Sequence, residues 1–219
     1  MRDVRILDRR LAFVPMISPS ASDPSVATGT AADVAAAVAS FERTADFAAL
    51  IRTLQAIAAT ADADSLIAAA EPWRDRAEIA GPLYERVVDL RPNDARALVA
   101  LANAYWLHGR GGDVVGELAG RAIAADPSNR AAWHLWALSE SDPRARVARW
   151  QQVADRFSDD DLARALLADN AASLAGAESD EHALALAIRT YEDLLTRASR
   201  PEQRAALEKS ISTLKSWSI

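Results

Sequence analysis

Apolar residues recur at helical spacing along most of the chain. Between Pro92 and Asn129, Leu98, Leu101, Ala102 and Tyr105 share one face at i, i+3, i+4 and i+7. Val115, Leu118, Ala119, Ala122 and Ile123 form a second such face, and Gly109-Arg110-Gly111-Gly112 separates the two. The pattern predicts two paired helices, each with an apolar stripe that a lone helix would leave in water. The opening signal Pro92-Asn93-Asp94 returns as Pro127-Ser128-Asn129, 35 residues later. A unit that recurs at this period and cannot bury its own stripe has to stack on its neighbours.

The flanking regions extend the pattern. Residues 1–29 alternate like extended chain at Val4, Ile6, Leu11, Phe13, Val14 and Met16, then turn rich in Ser, Pro and Gly. A flexible or loosely docked tail is expected there. Thr30 is a candidate cap for a helix with Val34, Ala35, Val38 and Phe41, and Phe47, Leu50, Ile51, Leu54, Ile57 and Ala58 predict a second. Asp62 or Asp64 caps a short helix before Pro72, and Trp73 to Leu90 reads as one helix that Gly81-Pro82 should kink or break. Beyond the central unit, Trp133, Trp136 and Ala137 open a short helix. Val147, Trp150, Val153 and Ala154 mark the next. Leu167, Asn170, Ala171 and Leu174 define a third face, and Ala187, Tyr191 and Leu194 a fourth. From Glu202 a last helix turns Ala206, Leu207, Ile211 and Leu214 inward, as a stack needs to cover its final apolar face.

The central unit resembles a tetratricopeptide repeat, whose period is about 34 residues and whose pattern is Trp-x2-Leu-Gly-x2-Tyr, then Ala-x3-Phe, then Pro. Leucine replaces the tryptophan at Leu98 and alanine the glycine at Ala102. Ala80, Tyr84 and Pro92 keep the second half of the pattern, and Trp133 and Trp136 the first half of the next. The resemblance implies an all-α solenoid of three to four antiparallel helix pairs with a C-terminal capping helix. The expected division is a tail at 1–29, degenerate helices at 30–74, repeats at 75–200 and the cap at 201–219. It also implies a protein- or peptide-binding scaffold whose first helices line a concave groove. The matching positions are Arg96, Val99, Asn103, Trp106 and Leu107, then Ala131, His134 and Leu138, with Ala168 and Ala172 continuing the strip. The family's clamp for chaperone tails needs several basic groove residues. Asn103 fits one of its sites, but Val99 stands where a cation is expected. A structural or oligomerisation module, its groove filled by its own tail or by a second copy, is the alternative. Trp106 points about 100° away from Tyr105, so it is either a groove anchor or a contact to the next repeat.

Composition narrows the chemistry. A net charge of −6 disfavours a nucleic-acid partner, which requires a basic face. The chain has no cysteine, which excludes disulfides and thiolate chemistry. No apolar run is long enough to span a bilayer, so no membrane insertion is expected. Arg2, Arg5, Arg9 and Arg10 precede too short an apolar stretch, broken by Pro15, for a good export signal. A cytoplasmic location is the default expectation. Gly109 to Gly112 lacks the Lys-Ser/Thr ending of a phosphate loop and reads as an inter-helix turn. Asp159-Asp160-Asp161 reads as a helix start and not a calcium loop, and His108, His134 and His182 are too scattered for zinc. No nucleophile turn is present, so an enzyme or enzyme-linked sensor is the least favoured alternative, and neither enzyme activity nor a metal or other cofactor is expected. Gly116 and Gly120, four apart, are candidates for a close helix contact.

Overall fold

A computed structural model describes residues 29–218. The expectations for residues 1–28 lie outside the described residues. The helices are α1 (Gly29–Thr44), α2 (Phe47–Thr60), α3 (Ala63–Ala70), α4 (Ala77–Leu90), α5 (Ala95–Leu107), α6 (Gly112–Ala125), α7 (Arg130–Leu138), α8 (Pro143–Arg156), α9 (Asp161–Glu178), α10 (Glu181–Arg197) and α11 (Pro201–Lys215). No strand occurs among the described residues. Short turns join the helices into five antiparallel pairs from α1/α2 to α9/α10, with α11 laid on α10; α3 packs on α1 and α4, and α2 on α1 and α4. That is more than the three to four pairs expected. The weakly patterned region before Trp73 contributes α1, α2 and α3 as full members of the stack, with Leu50, Leu54 and Leu66 in its core. Thr30 lies inside the first turn of α1 and not at its cap.

The helix starts follow from short polar side chains. Asp46, Asp62, Asp94, Asn129, Asp142, Asp160 and Asp180 each accept a hydrogen bond from a backbone N–H two or three residues on. Each such cap is worth about 1 kcal/mol. Gly109 ends the α5 segment with φ +72, a left-handed geometry that favours glycine. Pro82 does not break its helix, as α4 runs through it. Ile79, Ala80, Leu83, Tyr84 and Val87 are buried on both sides of it, and that packing outweighs one missing backbone hydrogen bond. Trp73 falls in a separate 3-10 turn, Glu71–Trp73.

The apolar interior divides within α7. Ala132 and Leu135 close a core that begins at Val34, whereas Ala137 opens a second core that extends to Leu214. The close contact at this point involves Gly112 and Gly116 of α6, not Gly116 and Gly120. A Cβ at Gly112 would lie 2.4 Å from the Ser139 carbonyl oxygen, and one at Gly116 would lie 2.9 Å from its Oγ. Gly120 has open space around it.

Arginines tie successive units together. Arg121 donates to the Pro92 carbonyl (3.1 Å), Arg156 to that of Pro127 (2.9 Å) and Arg197 to that of Ser158 (3.1 Å). Each acceptor stands two residues before the cap of a first helix, at Asp94, Asn129 and Asp160. The inter-unit turn thus has its free carbonyl satisfied by a side chain from the second helix that follows.

Candidate functional site

The face matched to a groove is built from the first helices of successive pairs. Asp94 fixes the start of α5 by accepting the Arg96 and Ala97 N–H groups at 3.0 and 3.1 Å. From that start, Arg96 is exposed, Asn103 and Trp106 are half-buried and Leu107 is 46% exposed. Helix α7 packs beside α5 and presents half-buried Ala131 and Leu138. On α9, the first helix of the next pair, Ala165, Asp169 and Ala172 are half-buried.

Three positions expected on this face lie in the interior. Val99 is 4% exposed, because α5 packs against α4, α6 and α7 and so buries more than one stripe. Ala168 is fully buried on α9, and Ala165 and Asp169 take the open positions beside it. His134 is 5% exposed, with Nε2 placed 2.7 Å from Asp160 Oδ2. An imidazole nitrogen that faces a carboxylate carries the proton. The His134 ring also meets Trp150 edge-on, at 5.4 Å between centroids. Asp160 does two jobs, since its Oδ1 accepts the Ala163 N–H that starts α9. Burial pushes the Asp160 carboxyl up, but His134, the Ala163 N–H and Arg130 together hold it below its ordinary value. This buried pair ties α7 to the cap of α9 and does not lie on an open surface.

Trp106 packs against the first core and is half-buried. Tyr105, expected in the interior, is also half-buried. Its hydroxyl donates to Glu85 at 2.7 Å and Arg110 stacks 4.0 Å over its ring. Burial first, and then the Glu85 contact, pushes the Tyr105 hydroxyl up to about 12. Arg110 and Arg121 are exposed.

A second arrangement, not legible in the sequence, lies on the α7–α8 side. Trp133 and Trp136 meet edge-on at 5.6 Å, Arg149 stacks 4.5 Å over Trp136, and Arg156 lies 5.4 Å over Trp133. The Trp133 indole and Arg156 both donate to the Pro127 carbonyl, which orients them for stacking. Among the described residues no group of three or more metal-ligating side chains converges, and no helix is long and apolar enough to cross a membrane.

No family model and no curated protein sequence matches the chain. Solved structures do resemble it. The crystal structure of TTC0263, a thermophilic TPR protein in Thermus thermophilus, is 13% identical at a TM-score of 0.52, covering 85% of this chain and 98% of that one. The crystal structure of MamA is 12% identical at a TM-score of 0.51, covering 87% of this chain and 98% of that one. Helix pairs in uninterrupted succession, an interior shared between neighbours and these two likenesses agree. The chain has the tetratricopeptide-repeat fold, an all-α solenoid of antiparallel helix pairs with a C-terminal capping helix.

Proposed function

We propose that this chain is a protein-interaction scaffold that holds an extended segment of a partner protein along the face formed by α5, α7 and α9. The observation that carries this reading is the open side of α5. Arg96, Asn103, Trp106 and Leu107 remain at least partly accessible on a helix that buries Ala97, Leu98, Val99, Leu101, Ala102 and Ala104. A tryptophan flanked by an amide, an arginine and an exposed leucine is the composition of an interface anchor. Leu138 and the small residues Ala131 and Ala172 extend the face as a shallow apolar strip, a shape suited to extended chain. Helix α11 closes the far end, and Trp217 folds back onto α9 with its ring 3.3 Å from the site of a Cβ on Gly176. The test is selection of binders to the full chain from a random-peptide display library, with elution by a competing excess of soluble wild-type protein or of Leu107→Asp. The wild type should elute the selected peptides and Leu107→Asp should not. Equal elution by both would remove this face from the interaction.

A second reading, self-association, rests on the opposite end. A cleft of about 420 Å³ between α1 and α2 is lined by Phe41, whose ring meets that of Phe47 edge-on at 6.3 Å, and Phe47 is 47% exposed. Solution mass measured at two concentrations distinguishes the two readings. A rise in mass that Phe47→Ser abolishes supports a second copy at this cleft, and a constant monomer mass eliminates it.

A further inference from the structure

Asp169 differs from several acids that join helices in the C-terminal half. Asp159, Asp160, Asp180 and Asp193 each have an arginine against them, from Arg130, Arg130, Arg144 and Arg164 respectively. No cation of the described residues pairs with Asp169, whose one recorded partner is the Tyr191 hydroxyl, donating to Oδ1. Its surroundings on α9 are uncharged: Leu162, Ala165, Leu166, Ala172 and Ser173 complete the same stripe. The position is the groove position of its unit. Asp169 follows its helix cap Asp160 by nine residues, as Asn103 follows Asp94 and Leu138 follows Asn129. Burial pushes the Asp169 carboxyl up, and the Tyr191 hydroxyl offsets this only in part.

A half-buried carboxylate without a counter-charge, set in an apolar strip that a ligand would cover further, is stabilised by an arriving cation. We propose that Asp169 is the specificity-determining acceptor for a lysine or arginine side chain of the bound segment, so that the partner carries a basic residue between apolar ones. This rests on the groove reading above. The Tyr191 hydroxyl occupies Oδ1 and competes for the carboxylate, leaving Oδ2 to the ligand.

The same display library, selected separately on the full wild-type chain, Asp169→Asn and Tyr191→Phe, tests the idea. Wild type should enrich peptides with Lys or Arg at one fixed position, and Asp169→Asn should lose that enrichment while keeping the apolar preference. For a single selected peptide, Asp169→Asn should weaken binding about tenfold or more, and replacing the basic residue by norleucine should weaken binding to wild type equally. Tyr191→Phe keeps the carboxylate and removes its competing donor, so it should bind the basic peptide at least as tightly as wild type does. That arm stands even if the asparagine variant folds poorly. Apolar peptides without a basic preference, or a preference that Asp169→Asn retains, would overturn the assignment to Asp169 and leave the groove reading intact. Failure to select any peptide would overturn both.

Discussion

The two cores that meet in α7 are held together differently. The first, from Val34 to Leu135, is filled by large aliphatic side chains, among them Leu54, Leu66, Ile79, Leu83 and Leu98. In the second, from Ala137 to Leu214, seven of the thirteen buried residues are alanine, and Trp150 is the largest side chain. Alanine lets helices approach closely but buries little apolar area. Side-chain polar bonds also join the elements there. His134 pairs with Asp160, Arg146 donates to Asn170 at 2.7 Å, Arg149 to the Trp136 carbonyl at 2.7 Å, and Tyr191 to Asp169. Large aliphatic side chains at helical spacing thus dominate the first core, whereas buried polar pairs brought together from distant positions, His134 with Asp160 above all, mark the second half.

The largest effect expected from this difference is at Trp150, which is 1% exposed and sits where the second core has few other large side chains. Trp150→Ala should cost about 3–5 kcal/mol of stability in urea denaturation. A loss below about 1 kcal/mol would mean that alanine packing alone sustains the second core. In the first core, Leu98→Ala should cost about 2–5 kcal/mol, spread over many aliphatic neighbours.

Next in size is the buried pair. His134→Ala leaves the Asp160 carboxylate buried without its closest partner and should cost about 3 kcal/mol. The folded carboxyl of Asp160 is held below its ordinary value. Its stabilising contribution is therefore present above the unfolded value of about 3.9 and is lost as pH falls through the folded one. Asp160→Asn should remove part of the acid sensitivity below about pH 4 and leave the rest of the profile in place. An unchanged acid limb in that variant would show that the pair does not couple folding to pH.

The smallest effects have opposite signs along α6, at the boundary between the cores. Gly116→Ala drives a Cβ towards Ser139 Oγ and should destabilise, whereas Gly120→Ala meets nothing and should gain about 0.5–1 kcal/mol. Thermal melts of the two variants moving in the same direction would contradict the close approach of α6 to the end of α7.

Much of the architecture is legible because stacked helix pairs write their contacts into short periods. Leu98, Leu101, Val115, Leu118, Val153 and Leu194 are all interior, as their spacing requires. Spacing does not reveal how many neighbours a helix has. Val99 is interior because α5 is enclosed on three sides, and Ala206 is exposed because α11, at the end of the stack, has fewer neighbours to bury it. The repeat pattern assigns His134 to the groove because its partner, Asp160, comes from the next unit and already has a local role as a helix cap. A clue is present in the sequence: a capping carboxylate has a second oxygen to spend, and a histidine stands near the start of the preceding first helix. The arginine ties are also in view, since Arg121 and Arg156 keep the same 35-residue step as Pro92 and Pro127. They carry no apolar signal, so a search for stripes passes over them.

The central claim, that the open side of α5 is a binding face and not merely packing, is tested most directly by calorimetric titration of one display-selected peptide. The titration is made into the wild type, Leu107→Asp and Trp106→Ala, with urea denaturation of each protein. Leu107→Asp should lower affinity by about 2 kcal/mol or more while its stability stays within about 0.5 kcal/mol of wild type. Trp106→Ala should lose affinity and, because the ring also touches the first core, some stability. Unchanged affinity in Leu107→Asp, or a Trp106→Ala protein that is less stable yet binds normally, would contradict the claim and assign this face to packing alone.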